Sequence, residues 1–195
     1  MSWMNAVMTN SLTETEIETE TVTETEPMPM VLRPYQKEAV DKTFECIKND
    51  SAQGYCISAP CASGKSLMIA EMARRVVNGE ELVGLSGRVL VVSHVQEIVQ
   101  QDYEHLNQLL SGRVGIFSAG LKRRDVSENV IVAGIQSVFR STRIGRFDML
   151  VIDECHLIPP HETSMYRRLI QNLRTNNPNL MLVGLTATPF RTDGG

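Results

Sequence analysis

An α/β domain built on a mostly parallel sheet is the fold class this sequence predicts, and three observations predict it. Short, nearly unbroken apolar runs, such as Arg88–Ser93 (RVLVVS) and Asp148–Ile152 (DMLVI), read as strands buried on both faces. Segments with helical apolar spacing separate such runs in regular alternation, the pattern of strand–helix–strand units. Residues able to do chemistry follow directly after strands, where open parallel sheets hold their ligands.

The elements follow in order. Pro34–Lys48 has helical spacing, with Ala39, Val40, Phe44 and Ile47 on one side. Tyr55–Ala59 is a short strand, and Lys65–Val77 a helix carrying Leu67, Ile69, Ala70, Ala73 and Val77. Arg88–Ser93 is a buried strand and Val95–Leu110 a helix. Val114–Ser118 and Val130–Ala133 are strands separated by a polar loop, Gly120–Asn129. Asp148–Ile152 is a strand, Thr163–Leu173 a helix and Leu180–Leu185 a last strand.

The first 29 residues stand apart. Thr13–Glu26 (TETEIETETVTETE) alternates like a strand, yet neither face is apolar, so ordering it would bury almost nothing. It reads as a disordered acidic tail ended by Pro27 and Pro29, with residues 30–195 forming one folded domain. The formal net charge of −4 is set by this tail: residues 1–30 hold six Glu and no Lys or Arg, leaving 17 acids against 19 bases in the remainder. That balance permits nucleic-acid binding without arguing for it. No apolar run approaches the ~20 residues of a membrane span, and no basic, apolar leader is present. The four cysteines (46, 56, 61, 155) show no CxxC spacing, which points to reduced thiols in a cytoplasmic protein rather than a zinc knuckle or disulfide framework. His156 and His161 beside Cys155 match no usual metal-ligand spacing.

Three strand-to-helix turns carry the chemistry. Ala59-Pro-Cys-Ala-Ser-Gly-Lys-Ser66 has the eight-residue spacing of a phosphate-binding loop, with Ala59 in place of its first Gly. Backbone N–H groups of residues 61–64, in the turn that Pro60 opens, would face phosphate oxygens at a helix N-terminus. Lys65 would reach the β- and γ-phosphates, and the Ser66 hydroxyl would ligate Mg²⁺. Taken singly, the same residues also fit a polar loop capping a helix. Asp153, at the end of a buried strand, needs a cationic partner, which a nucleotide-bound Mg²⁺ would supply. Glu154 could orient the attacking water, although an acidic helix cap would look similar. Thr186-Ala-Thr188 before Pro189 offers two hydroxyls for a relay, or simply a turn.

In their order along the chain, the phosphate loop, Asp153-Glu-Cys-His156 (DECH) and Thr186-Ala-Thr-Pro189 resemble motifs I, II and III of superfamily 2 helicases. The resemblance extends over the whole folded region. Leu32-Arg-Pro-Tyr-Gln36 is similar to the glutamine motif, which implies that Arg33 and Gln36 help hold the nucleotide, Gln36 at the adenine edge. Val92-Ser-His-Val-Gln-Glu97 and Gly134-Ile-Gln-Ser-Val138 are similar to motifs Ia and Ib, which implies nucleic-acid backbone contacts from Ser93, His94, Gly134, Gln136 and Ser137. His156 then becomes the polar link between motifs II and III, coupling through Thr186 and Thr188. AGLKRRD (119–125), VIDECHLI (151–158) and VGLTATPFR (183–191) look most like the bacterial RadD-like branch, related to XPB and shared by phage proteins. What the resemblance implies is a RecA-like domain that binds ATP and Mg²⁺, with Lys65 and Glu154 catalytic and nucleic acid, DNA in particular, as partner. It also implies a second RecA-like domain, which is not found before Gly195. A restriction or remodelling translocase, and an ATP-binding module without turnover, share these residues. One departure stands out: the family usually has Gly at Ala62, and Ala would be strained if φ is positive there.

Overall fold

The computed structural model describes residues 31–49, 54–81, 84–159, 161 and 163–188. The acidic segment 1–29 and the residues from Pro189 onward, and with them the expectations for both, lie outside the described residues.

The described residues form thirteen elements, ten of which the apolar pattern predicts. Helix α1 (Pro34–Asn49) precedes strand β1 (Tyr55–Ser58), helix α2 (Lys65–Val77), strand β2 (Val89–Ser93), helix α3 (Gln96–Leu109) and strand β3 (Val114–Ser118). After these come β4 (Arg123–Arg124), β5 (Val130–Gly134), the short helix α4 (Ile135–Val138), β6 (Met149–Ile152), a 3₁₀ turn at Cys155–Leu157, α5 (Met165–Asn176) and β7 (Met181–Thr186).

The strands form one sheet in the order β1-β7-β6-β2-β5-β3-β4. All pairings are parallel except the two-residue β4, which runs antiparallel to β3. Side-chain alternation divides the core into two layers. Val89, Val91, Val132, Val151 and Val183 face α1, α2 and α3, packing with Phe44, Met68, Met72, Val99 and Leu106. Leu90, Val92, Ile131, Leu150 and Ile152 face α4 and α5, packing with Ile135, Val138, Tyr166 and Leu169. Burial on both sides is why these strands carry apolar residues at every position.

The sequence reading needs three corrections. The Gly120–Asn129 segment is not wholly loop: the Asp125 carboxylate accepts from the Ile116 N–H (3.0 Å), and its own N–H donates to the Ile116 carbonyl (3.0 Å), pinning Arg123–Arg124 beside β3. Helix α5 starts at Met165, not Thr163, because the Ser164 hydroxyl caps the Arg167 N–H (3.3 Å). The residues after β5 and β6 each make a short helical turn that apolar periodicity, working over longer windows, does not register.

Candidate functional site

Parallel pairing brings five strand ends to one edge. Ser58 sits beside Thr186, Ile152 beside Gly184, and Ser93 beside Gly134. The turns after β1, β6, β7, β2 and β5 are therefore neighbours, although they span more than half the chain.

The turn after β1 is tied to β7 by the Ala59 N–H donating to the Thr186 carbonyl (2.9 Å), and it doubles back where Ser63 N–H meets the Pro60 carbonyl (3.1 Å). Two residues in it are left-handed, Ala62 (φ 61) and Gly64 (φ 78). Position 62 thus has the positive φ that glycine tolerates and alanine does not, at a cost of roughly 1–2 kcal/mol. Gly64 is needed twice over, for its φ and because a side chain there would collide with the Gln36 amide. Gln36 is buried, and its amide donates to the Ser63 carbonyl (2.7 Å) while its oxygen accepts from the Arg33 N–H (2.8 Å). The Tyr35 hydroxyl donates to the same Ser63 carbonyl (2.8 Å). The start of α1 is thus clamped onto the loop. Pro60 and Cys61 are exposed, whereas Ser63 to Ser66 are half-buried in the turn and the first turn of α2.

Across the edge, Asp153 is 7% exposed and its Oδ1 has no partner. Burial chiefly, and the Glu154 charge besides, raise its pKa against the opposing pull of Lys65. Glu154 adopts φ 50, which turns the chain sharply after β6. Its carboxylate pairs with the Lys65 ammonium through Oε1 and lies 3.2 Å from His156 Nδ1 through Oε2. Burial would lower the Lys65 pKa, but the Glu154 hydrogen bond and the Asp153 and Glu154 charges outweigh it, so the net shift is upward. His156 Nδ1 is also 2.9 Å from the Thr186 hydroxyl, which donates to the Thr188 carbonyl (3.2 Å) and accepts from the Thr188 N–H (3.1 Å). Lys65, Glu154, His156, Thr186 and Thr188 therefore form one continuous polar chain through three turns.

A second buried acid, Asp102 on α3, escaped the sequence reading. It lies between Val99 and Leu106 on the buried face of that helix, is 5% exposed, and its Oδ2 has no partner. Its position at an apolar helical spacing was the available signal. Burial first, then the Asp153 charge, push its pKa up to about 8. Such a carboxyl holds its proton up to about pH 8 when folded and loses it near its ordinary value of 3.8 when unfolded. Folding therefore takes up a proton between those values, and the contribution to stability declines as pH rises through this window. One proton accounts for at most about 1.4 kcal/mol per pH unit. Asp102→Asn should lose that decline, so its urea midpoint should gain on that of wild type as pH rises from about 6 to about 9.

The remaining predicted residues line the same edge. Ser93 is buried with an unpartnered Oγ. His94 is exposed and stacks on Tyr166 at 6.5 Å, and its carbonyl accepts from the Gln136 amide (3.0 Å). The Ser137 hydroxyl accepts from the Ala119 N–H (2.8 Å), and Gly134 closes β5 beside Ser93. The loop arginines are engaged locally, Arg123 with Asp125 and over Tyr103, Arg124 over Phe117. Among the described residues no cluster of His, Cys, Asp or Glu forms a metal cage, and no helix is long and apolar enough to cross a membrane.

The sheet order, the clamped loop and the acidic turn opposite it define a superfamily 2 helicase/ATPase-type domain of RecA-like fold. The chain belongs to the family described as the type III restriction enzyme res subunit, whose model matches residues 29–191. It is 26% identical over 176 residues to the general transcription and DNA repair factor IIH helicase/translocase subunit XPB of Schizosaccharomyces pombe, covering 83% of this chain and 20% of that protein. It is 30% identical over 178 residues to the mouse ATP-dependent RNA helicase DHX58, covering 82% of this chain and 25% of that one. The chain thus spans a fifth to a quarter of the length of these relatives. In fold it is similar to the Sulfolobus solfataricus SWI2/SNF2 ATPase core solved with double-stranded DNA, with TM-score 0.61, 20% identity, and coverage of 84% of this chain and 33% of that one.

Proposed function

We propose that the chain binds Mg-ATP at this sheet edge and is the ATP-binding part of a nucleic-acid-dependent ATPase, DNA-directed and of the XPB-related, RadD-like branch. The observation that carries this reading is the polar chain from Lys65 through Glu154 and His156 to Thr186 and Thr188. It joins the residues that would hold the γ-phosphate to the turn that would sense a bound strand.

The residues present fit the nucleotide and its metal. Asp153 Oδ1 is buried without a partner, and the Ser66 hydroxyl lies in the first turn of α2. These two would hold Mg²⁺, which when bound neutralises phosphate charge. The backbone of Pro60, Cys61, Ala62, Ser63 and Gly64 would cradle the phosphates, and Lys65 would leave Glu154 for the β- and γ-oxygens. Glu154, released from that pair but still beside His156, would orient water for in-line attack. Arg33 and Gln36 would border the base. Ser93, His94, Gly134, Gln136 and Ser137 would meet the sugar–phosphate backbone, which positions a strand without reading its sequence.

Hydrolysis also needs positive charge on the γ-phosphoryl oxygens in the transition state. Arg74 and Arg75 do not supply it, since both are held by Glu71, Arg74 also by Glu80, and Arg75 also by Glu81 and Asp41. We propose that a second RecA-like domain, in the same protein or a partner chain, contributes it. Steady-state ATP hydrolysis by the 195-residue chain is therefore expected to be slow. Fusing the second domain of a close relative should raise turnover by roughly 10³–10⁵, and double-stranded DNA should stimulate the fusion more than RNA. Brisk turnover by the isolated, monomeric chain would contradict the division of labour, and greater stimulation by RNA would contradict the DNA assignment.

A further inference from the structure

We infer that Cys56 and Cys155 are a redox pair, which an oxidant such as hydrogen peroxide closes into a reversible disulfide. Their sulfurs lie 3.7 Å apart although 99 residues separate them in the chain. The strand between them makes the approach possible. Cys56 on β1 is in register with Gly184 of β7, and Gly184 is in register with Ile152 of β6, three residues before Cys155. A Cβ on Gly184 would come within 2.8 Å of both Cβ and Sγ of Cys155. Cys155 therefore lies over the glycine, and any side chain there would push it away from Cys56.

Accessibility orders the chemistry. Cys56 is exposed and Cys155 is only partly so. The Cys56 sulfur would attack peroxide first, breaking the O–O bond, forming S–OH and releasing one water. The Cys155 sulfur would then displace that hydroxyl, which leaves with the thiol proton as a second water. Two thiols are oxidised and one peroxide is reduced to two waters. The sulfurs must close from 3.7 Å to about 2.0 Å.

The consequence for the neighbouring site rests on the Mg-ATP reading. Cys155 directly follows Glu154, whose left-handed backbone (φ 50) leaves little slack, and β1 feeds the 59–66 loop. Drawing Cys155 toward β1 would move the Asp153 and Glu154 carboxylates relative to Lys65. Oxidation should weaken Mg-ATP binding by about tenfold, within the usual range for coupling between sites.

The test is to treat the full chain with equimolar hydrogen peroxide, map peptides by mass spectrometry without reduction, and measure Mg-ATP affinity before oxidation, after it, and after dithiothreitol. A Cys56–Cys155 peptide lost on reduction is expected, with affinity falling and recovering in step. Cys56→Ser, and Cys56→Ala should serine prove disruptive, should bind like reduced wild type and ignore peroxide. That insensitivity separates the pair from direct oxidation of Cys61 in the loop. Failure of the Cys56–Cys155 peptide to form while Cys46 and Cys61 react would overturn the pair. A disulfide that leaves affinity unchanged would overturn its link to the site. If reduced wild type does not bind Mg-ATP, the nucleotide reading fails, and the peptide map still decides the disulfide.

Discussion

Lys65→Ala is expected to remove the rise in melting temperature that saturating Mg-ATP gives the wild-type chain. A ligand at a hundred times its dissociation constant stabilises the folded state by about 2.7 kcal/mol. On the proposed Mg-ATP reading Lys65 is the cation that would meet the β- and γ-phosphates, so its loss should take away most of that gain. The ligand-free protein should change far less. The Lys65–Glu154 pair is partly open to solvent, and Glu154 keeps His156 as a neighbour, so the loss should stay within about 1 kcal/mol. Differential scanning fluorimetry with and without Mg-ATP separates the two effects. Equal shifts in mutant and wild type would mean that the nucleotide sits elsewhere.

Glu154→Gln should do the reverse, sparing binding and stopping chemistry. The amide can still meet Lys65 and His156, so the polar chain persists, but it can no longer act as a base. Positioned acid–base groups contribute roughly 10²–10⁴ in rate. Turnover of the second-domain fusion should fall by that factor while its affinity for Mg-ATP holds. A variant that turns over normally would return Glu154 to a structural role, pairing Lys65 and turning the chain after β6.

Most of this architecture was legible in the residues because a two-sided parallel sheet writes itself into unbroken apolar strands. Val89–Ser93, Val114–Ser118 and Val130–Gly134 are buried at every position. Lys65 comes after β1, Asp153 and Glu154 come after β6, and Thr186 ends β7, and the pairing of these three strands makes them neighbours. The strain at Ala62 was foreseeable because a loop that needs a left-handed residue usually places glycine there. What stayed hidden depends on contacts between distant segments. Local spacing cannot show that Cys56 meets Cys155 over Gly184, or that Asp102 on α3 lies within electrostatic reach of Asp153. Nor does it show that the Gln36 amide is held on the Ser63 carbonyl, a contact that ties α1 to the loop. Nor does it show that Arg123 and Arg124 lie over the rings of Tyr103 and Phe117.

The central claim is that separate strand ends build a single metal-dependent nucleotide site, and titration calorimetry tests it most directly. ATP is titrated into the wild-type chain and into Asp153→Asn, each with Mg²⁺ and with a chelator. Wild type should bind one nucleotide per chain, more tightly with Mg²⁺, and Asp153→Asn should lose that Mg²⁺-dependent gain while keeping the weaker metal-free binding through the loop. Wild-type affinity that is the same with and without Mg²⁺, or a gain that survives in Asp153→Asn, would contradict the account.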